Sequence, residues 1–535
     1  MKKRTTYLCL ILACLLLMAS CSSKGDTPSS TPSSAPSYNN PTASASPAPS
    51  ASSMPGSPHN PDYSIALPEE PHNGEDYLVI DENARVDTDA ESMLTFSLKV
   101  DTAAYTNVAR YIESGSRPPR DAVRTEELLN YFNYDGDMVF DGDSPFALYT
   151  ELGPSPFNKN SLMAFIRVKS VDIDKDELPS SNLTFLIDTS GSMSSYDKLP
   201  LLQEAFGLLV ETLDEDDRVS IVTYAGSSAI VLDGTSGEDK ERIISAINNL
   251  SAAGSTAGAD GIKTAYALAE KNYLEGGNNR VILATDGDFN VGISDTDDLA
   301  KLVGEKRGNG VYMSVLGFGT GNIRDDIMET LSKEGNGNYA YINNLRAARK
   351  VLVEELSTNL FTIADDVKAQ VEFNPENVKN YRLIGYENRA LSNEDFTDDT
   401  KDAGEIGVGT DIVMMFELEL YGSGAEYKYG GGETKEPDFA NELFEVRIRY
   451  KNPGESDSKL VTRPAYYDDI TDTGSSDFRF ACSVAAFGHL LRGSEYIGGA
   501  TLTDVYDFAE NSLGRDTGGY RTEYLRLLER YEKLR

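Results

Sequence analysis

The chain has 535 residues, too many for one hydrophobic core, and its 40% hydrophobic and 25% charged content is that of a soluble globular protein. Lys and Arg number 49 against 86 Asp and Glu, a formal net charge of −37, which argues against binding nucleic acid or anionic lipid through a basic face. Four cysteines, two of them in a hydrophobic leader, and three histidines supply no disulfide framework, no zinc set and no Ser-His-Asp triad.

Met1-Lys-Lys-Arg4 precedes an apolar run from Tyr7 to Met18, then Ala19, Ser20 and Cys21. A basic start, a short apolar stretch and small residues predict a secretory signal over 1–20, too short for a stable membrane span. Met18-Ala-Ser-Cys21 resembles the lipobox of bacterial lipoproteins, with Met18 where Leu is commoner. The resemblance implies cleavage before Cys21, lipid on its sulfur, and an extracytoplasmic protein held to the cell membrane by that anchor only. Residues 21–74 are Ser, Pro, Thr, Ala and Asn with almost no core-forming side chains, which predicts a disordered tether. Roughly fifty such residues span about 40 Å root-mean-square.

An N-terminal extension over 75–175 follows. It reads as a strand from Leu94 to Asp101, helices at Tyr105–Glu113 and Asp121–Phe132, and strands at Phe146–Glu151 and Ser161–Val171. Over 182–364, strands and helices alternate. Leu183–Asp188, Arg218–Tyr224, Ala229–Leu232, Arg280–Thr285, Val311–Leu316 and Asn338–Ile342 are apolar, strand-forming runs. The segments 198–213, 238–250, 258–270, 296–306, 323–331 and 344–360 show helical spacing. This pattern predicts an α/β doubly wound, Rossmann-like domain with a parallel sheet and helices on both faces. Further strands are expected at 367–373, 381–385, 412–418, 444–450 and 459–466 within a segment 365–470. A helical segment, 471–535, ends the chain. Neither flank has enough strands for a sandwich alone. Strands 146–171 are therefore expected to pair with strands 367–466 in one β-sandwich, with the α/β domain inserted between them.

In doubly wound sheets ligands bind beyond the carboxyl ends of the strands. Asp188-Thr-Ser190-Gly-Ser192 follows the first α/β strand, Gly254-Ser-Thr256 precedes a helix, and Asp286-Gly-Asp288 follows the strand ending at Thr285. Three loops distant in sequence thus reach one edge. Their hydroxyls and carboxylates are hard oxygen donors, suited to Mg²⁺, Mn²⁺ or Ca²⁺ rather than Zn²⁺ or Cu²⁺. Gly191 between the two serines allows a tight backbone path.

Asp188, Ser190, Ser192, Thr256 and Asp286 together resemble the metal ion-dependent adhesion site of von Willebrand factor A domains. The resemblance implies that Ser190, Ser192 and often Thr256 touch one divalent ion, Mg²⁺ foremost, while Asp188 and Asp286 frequently act through water. It also implies that a carboxylate of a protein partner completes the coordination. The runs Thr95–Asn107, Pro118–Phe132 and Tyr381–Arg389 resemble a bacterial lipoprotein family of A-domain proteins with an N-terminal extension and a C-terminal domain of unknown function. That resemblance extends from about residue 75 to the C-terminus.

Three other patterns are weaker. Asp286-x-Asp288-x-Asn290 begins like a calcium loop but has Val291 where Gly is needed and Asp297 at the closing position. Ser195-x-x-Lys198 lacks the downstream partners of a serine β-lactamase and reads as a loop entering a helix. Cys482 lies in an apolar run and reads as a buried thiol. No phosphate-binding loop is present, so the chain is not itself an ATPase. The leading expectation is a non-enzymatic, metal-dependent protein-binding or adhesion module. The alternatives are a regulatory or assembly partner of a cell-envelope enzyme, and a metal-assisted hydrolase with Asp286 or Asp288 as base.

Overall fold

A computed structural model describes residues 74–99, 101–142, 144–254, 258–287, 296–321, 323–355, 360–401, 403–421 and 440–535. The expected signal sequence, the expected lipidation site Cys21 and the expected tether through residue 73 lie outside these, as do Thr256, Asp288 and Asn290. The N-terminal part supplies strands β1 (Val86–Asp87) and β2 (Met93–Ser97), helices α1 (Ala103–Glu113) and α2 (Thr125–Asn130), and a hairpin of β3 (Phe146–Pro154) and β4 (Leu162–Ser170). The single helix expected over 121–132 is instead a short 3₁₀ turn, Arg120–Ala122, followed by α2. The break falls at Val123, whose φ of −102° and ψ of 88° are not helical.

The central segment runs β5 (Ser181–Asp188), α3 (Leu199–Glu211), β6 (Arg218–Ala225), β7 (Ser227–Ser236), α4 (Lys240–Asn248), α5 (Gly258–Lys271), β8 (Asn278–Thr285), α6 (Thr296–Arg307), β9 (Tyr312–Phe318), α7 (Asp325–Glu334), β10 (Tyr339–Ile342) and α8 (Leu345–Arg349). Its sheet has the order β10-β9-β8-β5-β6-β7. Period-two alternation along β5 sends Leu183, Phe185 and Ile187 into a core with α3 and α4. Leu186 goes to the opposite core with α5, α6 and α7. This is the expected doubly wound architecture with one correction: the sheet is mixed. β7 pairs antiparallel with β6 because only Gly226, at φ 50°, separates them. So short a link closes a hairpin but cannot make the crossover that a parallel pair needs. The last helix is also shorter than 344–360: α8 passes into a π turn, Lys350–Glu354.

The chain then returns to the flank as β11 (Thr362–Phe373), ahead of the domain end expected at 364, and continues with β12 (Val378–Ile384), β13 (Ala390–Leu391), β14 (Gly404–Gly407), β15 (Asp411–Leu420), β16 (Glu442–Lys451) and β17 (Ser458–Tyr466). Helices α9 (Ser476–Arg492), α10 (Leu502–Glu510) and α11 (Tyr520–Glu532) follow. One sheet is β1-β12-β15-β4-β3 and the other β13-β2-β11-β16-β17, with β14 on β11. The pairing of strands from before and after the insertion is therefore real: β4 lies against β15 from Asp411↔Lys169 to Leu418↔Leu162. The two sheets share a core that includes Phe96, Ile166, Val371, Phe373, Phe416 and Ile448. The second sheet leaves its outer face half-exposed, so β16 alternates Phe-Glu-Val-Arg-Ile-Arg-Tyr. The first sheet is buried on both faces, so β15 reads Ile-Val-Met-Met-Phe without alternation. Its outer face carries Met163, Phe165, Val413 and Met415, which pack under α1, α2 and α9–α11. The N- and C-terminal helices thus form one layer, in which Phe132 meets Phe480 edge-on at 4.9 Å.

The inserted domain is tied to the flanks by buried polar contacts. The Thr106 hydroxyl of α1 donates to the Tyr341 carbonyl at 2.6 Å, and the Tyr339 amide donates to Asp101 at 2.9 Å. Arg124, just before α2, bonds Glu127 and reaches Asp325 of α7 at 2.6 Å. Arg389 joins Asp101 at 2.9 Å and Glu329 of α7 at 3.1 Å, and Lys99 joins Asp101 at 3.2 Å. Every member of this network is buried.

Candidate metal centre

The strand order places the site. β5 is flanked by β6 on one side and β8 on the other, so the chain reverses its winding between β5 and β8. At such a switch point the loops leaving the strands part and open a crevice. Asp188 is the last residue of β5, in register with Tyr224 of β6. Asp286 follows Thr285, the last residue of β8, one strand away. Both carboxylates are fully buried.

The loop after Asp188 is held by backbone bonds on two sides. The Thr189 amide donates to the Tyr224 carbonyl at 3.0 Å and the Gly191 amide to the Gly254 carbonyl at 3.1 Å; the Ala253 amide donates back to the Thr189 carbonyl at 2.8 Å. A 3₁₀ turn, Gly191–Ser194, then sinks Met193 into the core. Gly254 at φ 87° and Gly287 at φ 92° adopt the left-handed backbone that favours glycine. Gly191 does not, and a Cβ there would meet the Gly254 carbonyl at 3.4 Å, an ordinary van der Waals contact, so nothing in the loop's geometry demands glycine at this position.

Within this frame the Ser190 amide donates to Asp188 Oδ1 at 2.8 Å, and the Ser190 and Ser192 hydroxyls lie 2.9 Å apart. Thr285 Oγ1 is 3.4 Å from Asp188 Oδ2 and accepts from the Gly287 amide at 3.2 Å. Ser190 is buried, whereas Ser192 is exposed, so the hydroxyl pair runs from the interior to the solvent. Burial raises the Asp188 carboxyl to about 6. The Asp286 charge pushes the same way, while hydrogen bonds from Ser190 and Tyr224 pull it back.

Of the five residues singled out from sequence, Asp188, Ser190, Ser192 and Asp286 meet at this edge, and Thr256 lies outside the described residues between the Gly254 turn and α5. The donor set suits a hard divalent cation: two hydroxyls side by side and two buried carboxylates that repel each other. A cationic group already sits against one of them. Lys198 Nζ donates to Asp286 Oδ2 at 2.8 Å, with the lysine side chain only 9% exposed. In the sequence Lys198 stands out only as the end of a Ser-x-x-Lys step at a helix entry. Its partner is 88 residues away, so no local signal reveals the contact. Among the described residues, no group of three or more His, Cys, Asp or Glu side chains is placed to hold a metal ion. His489, the histidine among the described residues, lies in α9 between Glu82 at 3.2 Å and Arg382 at 3.0 Å.

Comparison with known proteins follows the same division of the chain. The von Willebrand factor type A domain family matches residues 182–355. A family named von Willebrand factor matches 71–164, and one named for the C-terminal part of the uncharacterized protein YfbK matches 358–534. The chain is 44% identical to the uncharacterized protein YfbK of Escherichia coli (strain K12) over 464 residues, covering 85% of this chain and 80% of that protein. It is 29% identical to calcium-activated chloride channel regulator 1 of Mus musculus over 160 residues, 29% of this chain and 16% of that protein. Among solved structures, a von Willebrand factor type A protein from Catenulispora acidiphila is 15% identical and aligns with 71% of this chain and 91% of its own, at a TM-score of 0.41.

Proposed function

Since the chain belongs to the family of YfbK, with a von Willebrand factor type A domain at its centre, we propose that it is a metal-dependent protein-capture module. A-domains are typically interaction or adhesion modules. In this reading Ser190, Ser192 and Thr256 hold one divalent cation, Mg²⁺ foremost, while Asp188 and Asp286 balance its charge from behind. The cation supplies a Lewis-acidic point to which a carboxylate of a partner protein adds. Ser190 fixes the geometry, because its amide is anchored on Asp188 and its hydroxyl faces that of Ser192. The reading continues with an extracytoplasmic chain anchored through lipid on Cys21, no enzymatic activity and no nucleic-acid partner.

The observation that carries it is the pair of fully buried carboxylates behind adjacent hydroxyls that open to solvent. Burying two like charges side by side is unfavourable unless cations neutralise them, and Lys198 answers only one of the two. Calorimetric titration of the folded chain with Mg²⁺ and Mn²⁺ tests the centre. Wild type is expected to bind one ion, and Ser190→Ala to lose it while keeping its circular dichroism spectrum. Unchanged binding by Ser190→Ala overturns the assignment, as does a chain that binds no ion whether or not the Lys198 charge is present. For the anchor, metabolic labelling with palmitate is expected to mark wild type and not Cys21→Ser. An unlabelled wild-type chain refutes it.

A further inference from the structure

Lys198 is built to point inward. It directly precedes α3, with φ −119° and ψ −112°, outside both the helical and the extended basins. Its amide donates to the Ser195 carbonyl at 3.1 Å and its carbonyl accepts from the Leu202 amide at 2.8 Å, so the backbone is held from both sides. The side chain crosses Gly319, just beyond β9. A Cβ on that glycine would lie 2.3 Å from both Cγ and Cε of Lys198. Gly319 is also left-handed, at φ 78°, and its carbonyl accepts from the Tyr341 hydroxyl at 2.5 Å. A lysine at a loop–helix junction ordinarily carries its ammonium into water. Here a glycine groove leads it to a fully buried carboxylate instead.

The consequence is electrostatic. Asp188 and Asp286 bring two negative charges to the centre, and Lys198 cancels one. A divalent ion entering beside Ser190 meets a like charge and must share Asp286 with it, and both effects oppose its binding.

We propose that Lys198 is a tethered competitor for the divalent cation: it occupies Asp286 when no ion is bound, and must leave that carboxylate for the ion to bind. Lys198 is thus a positioning residue that weakens the ion, so that occupancy of the centre follows the surrounding divalent concentration. The inference rests on the metal-dependent reading above.

The test is calorimetric titration of the folded chain with Mg²⁺ alone and Mn²⁺ alone, after circular dichroism shows each variant folded. Lys198→Met and Lys198→Gln are each expected to bind the ion at least about tenfold more tightly than wild type. Lys198→Arg, which keeps the positive charge, stays within about threefold of wild type. Gln retains a donor for Asp286 without the charge, so it serves where Met in the polar site impairs folding. Equal or weaker binding by the neutral variants, with wild type binding normally, overturns the competitor role and leaves the metal centre standing. Absence of binding in wild type and the neutral variants overturns both. Binding that emerges only in the neutral variants supports the competitor role. A crystal structure with Mn²⁺ gives a second readout: Lys198 Nζ is expected to have left Asp286, and an ion seated beside an unmoved Lys198–Asp286 pair overturns the proposal.

Discussion

Arg124→Met removes the guanidinium that joins the flanking helices to the inserted domain. Arg124, Glu127 and Asp325 are each about 2% exposed at the side chain, so the variant leaves two carboxylates in the interior without their main counter-charge. Breaking a buried pair by deleting one partner costs about 3–5 kcal/mol. At about 2.1 cal/mol/K of unfolding entropy per residue, 4 kcal/mol lowers Tm by about 4 °C if roughly 460 residues unfold as one unit. The fall is about 11 °C if the roughly 175-residue inserted domain melts alone. Scanning calorimetry therefore reads both the energy and the cooperative unit. The deficit should shrink as pH falls, because Asp325 and Glu127, both already raised by burial, take up protons once the guanidinium is gone. The triple variant Arg124→Met, Glu127→Gln, Asp325→Asn should recover more than half of the loss. Glu127 also accepts the Ala104 amide at 2.8 Å, and Gln keeps an acceptor there. A single variant melting within about 1 °C of wild type would refute the claim that this network docks the domain.

Two further outcomes follow from buried titratable groups. Burial, together with the charges of Glu387 and Glu127, pushes the Glu126 carboxyl up to about 8. The folded state then holds a proton that the unfolded state releases above about pH 4.5, so stability falls as pH rises from about 5 to 8. Glu126→Gln should flatten that decline in thermal melts, and an unchanged slope would show that Glu126 is ionised in the fold. Cys482 is free, fully buried and shifted upward by burial, so a thiol reagent at pH 8 should label it only after denaturant is added. Rapid labelling of the native protein would contradict the packing of α9.

Much of the chain is legible without coordinates because the relevant signals are local. Helical spacing from Leu201 to Leu213, the apolar run that ends at Asp188 and the Ala-Thr-Asp-Gly step at 284–287 each declare an element and its edge within a dozen residues. A doubly wound sheet can only gather the polar residues at its strand ends along one rim, so all five candidate ligands could be named from the sequence, and the four that lie within the described residues meet at that rim. The β-sandwich was inferable because too few strands stood on either side of the insertion. What only the tertiary structure decided are interactions between residues far apart in sequence. Lys198 finds Asp286 across 88 residues and Arg124 finds Asp325 across 201, and nothing near either basic residue marks its partner. The same holds for layer order. The unalternating β15 was readable only as a strand, because one-sided and two-sided burial separate only once α9 is seen to cover the second face. Local periodicity is dictated by backbone geometry and so is written into the sequence. Which charges meet in the interior depends on how whole elements pack, and that is set only when the chain closes on itself.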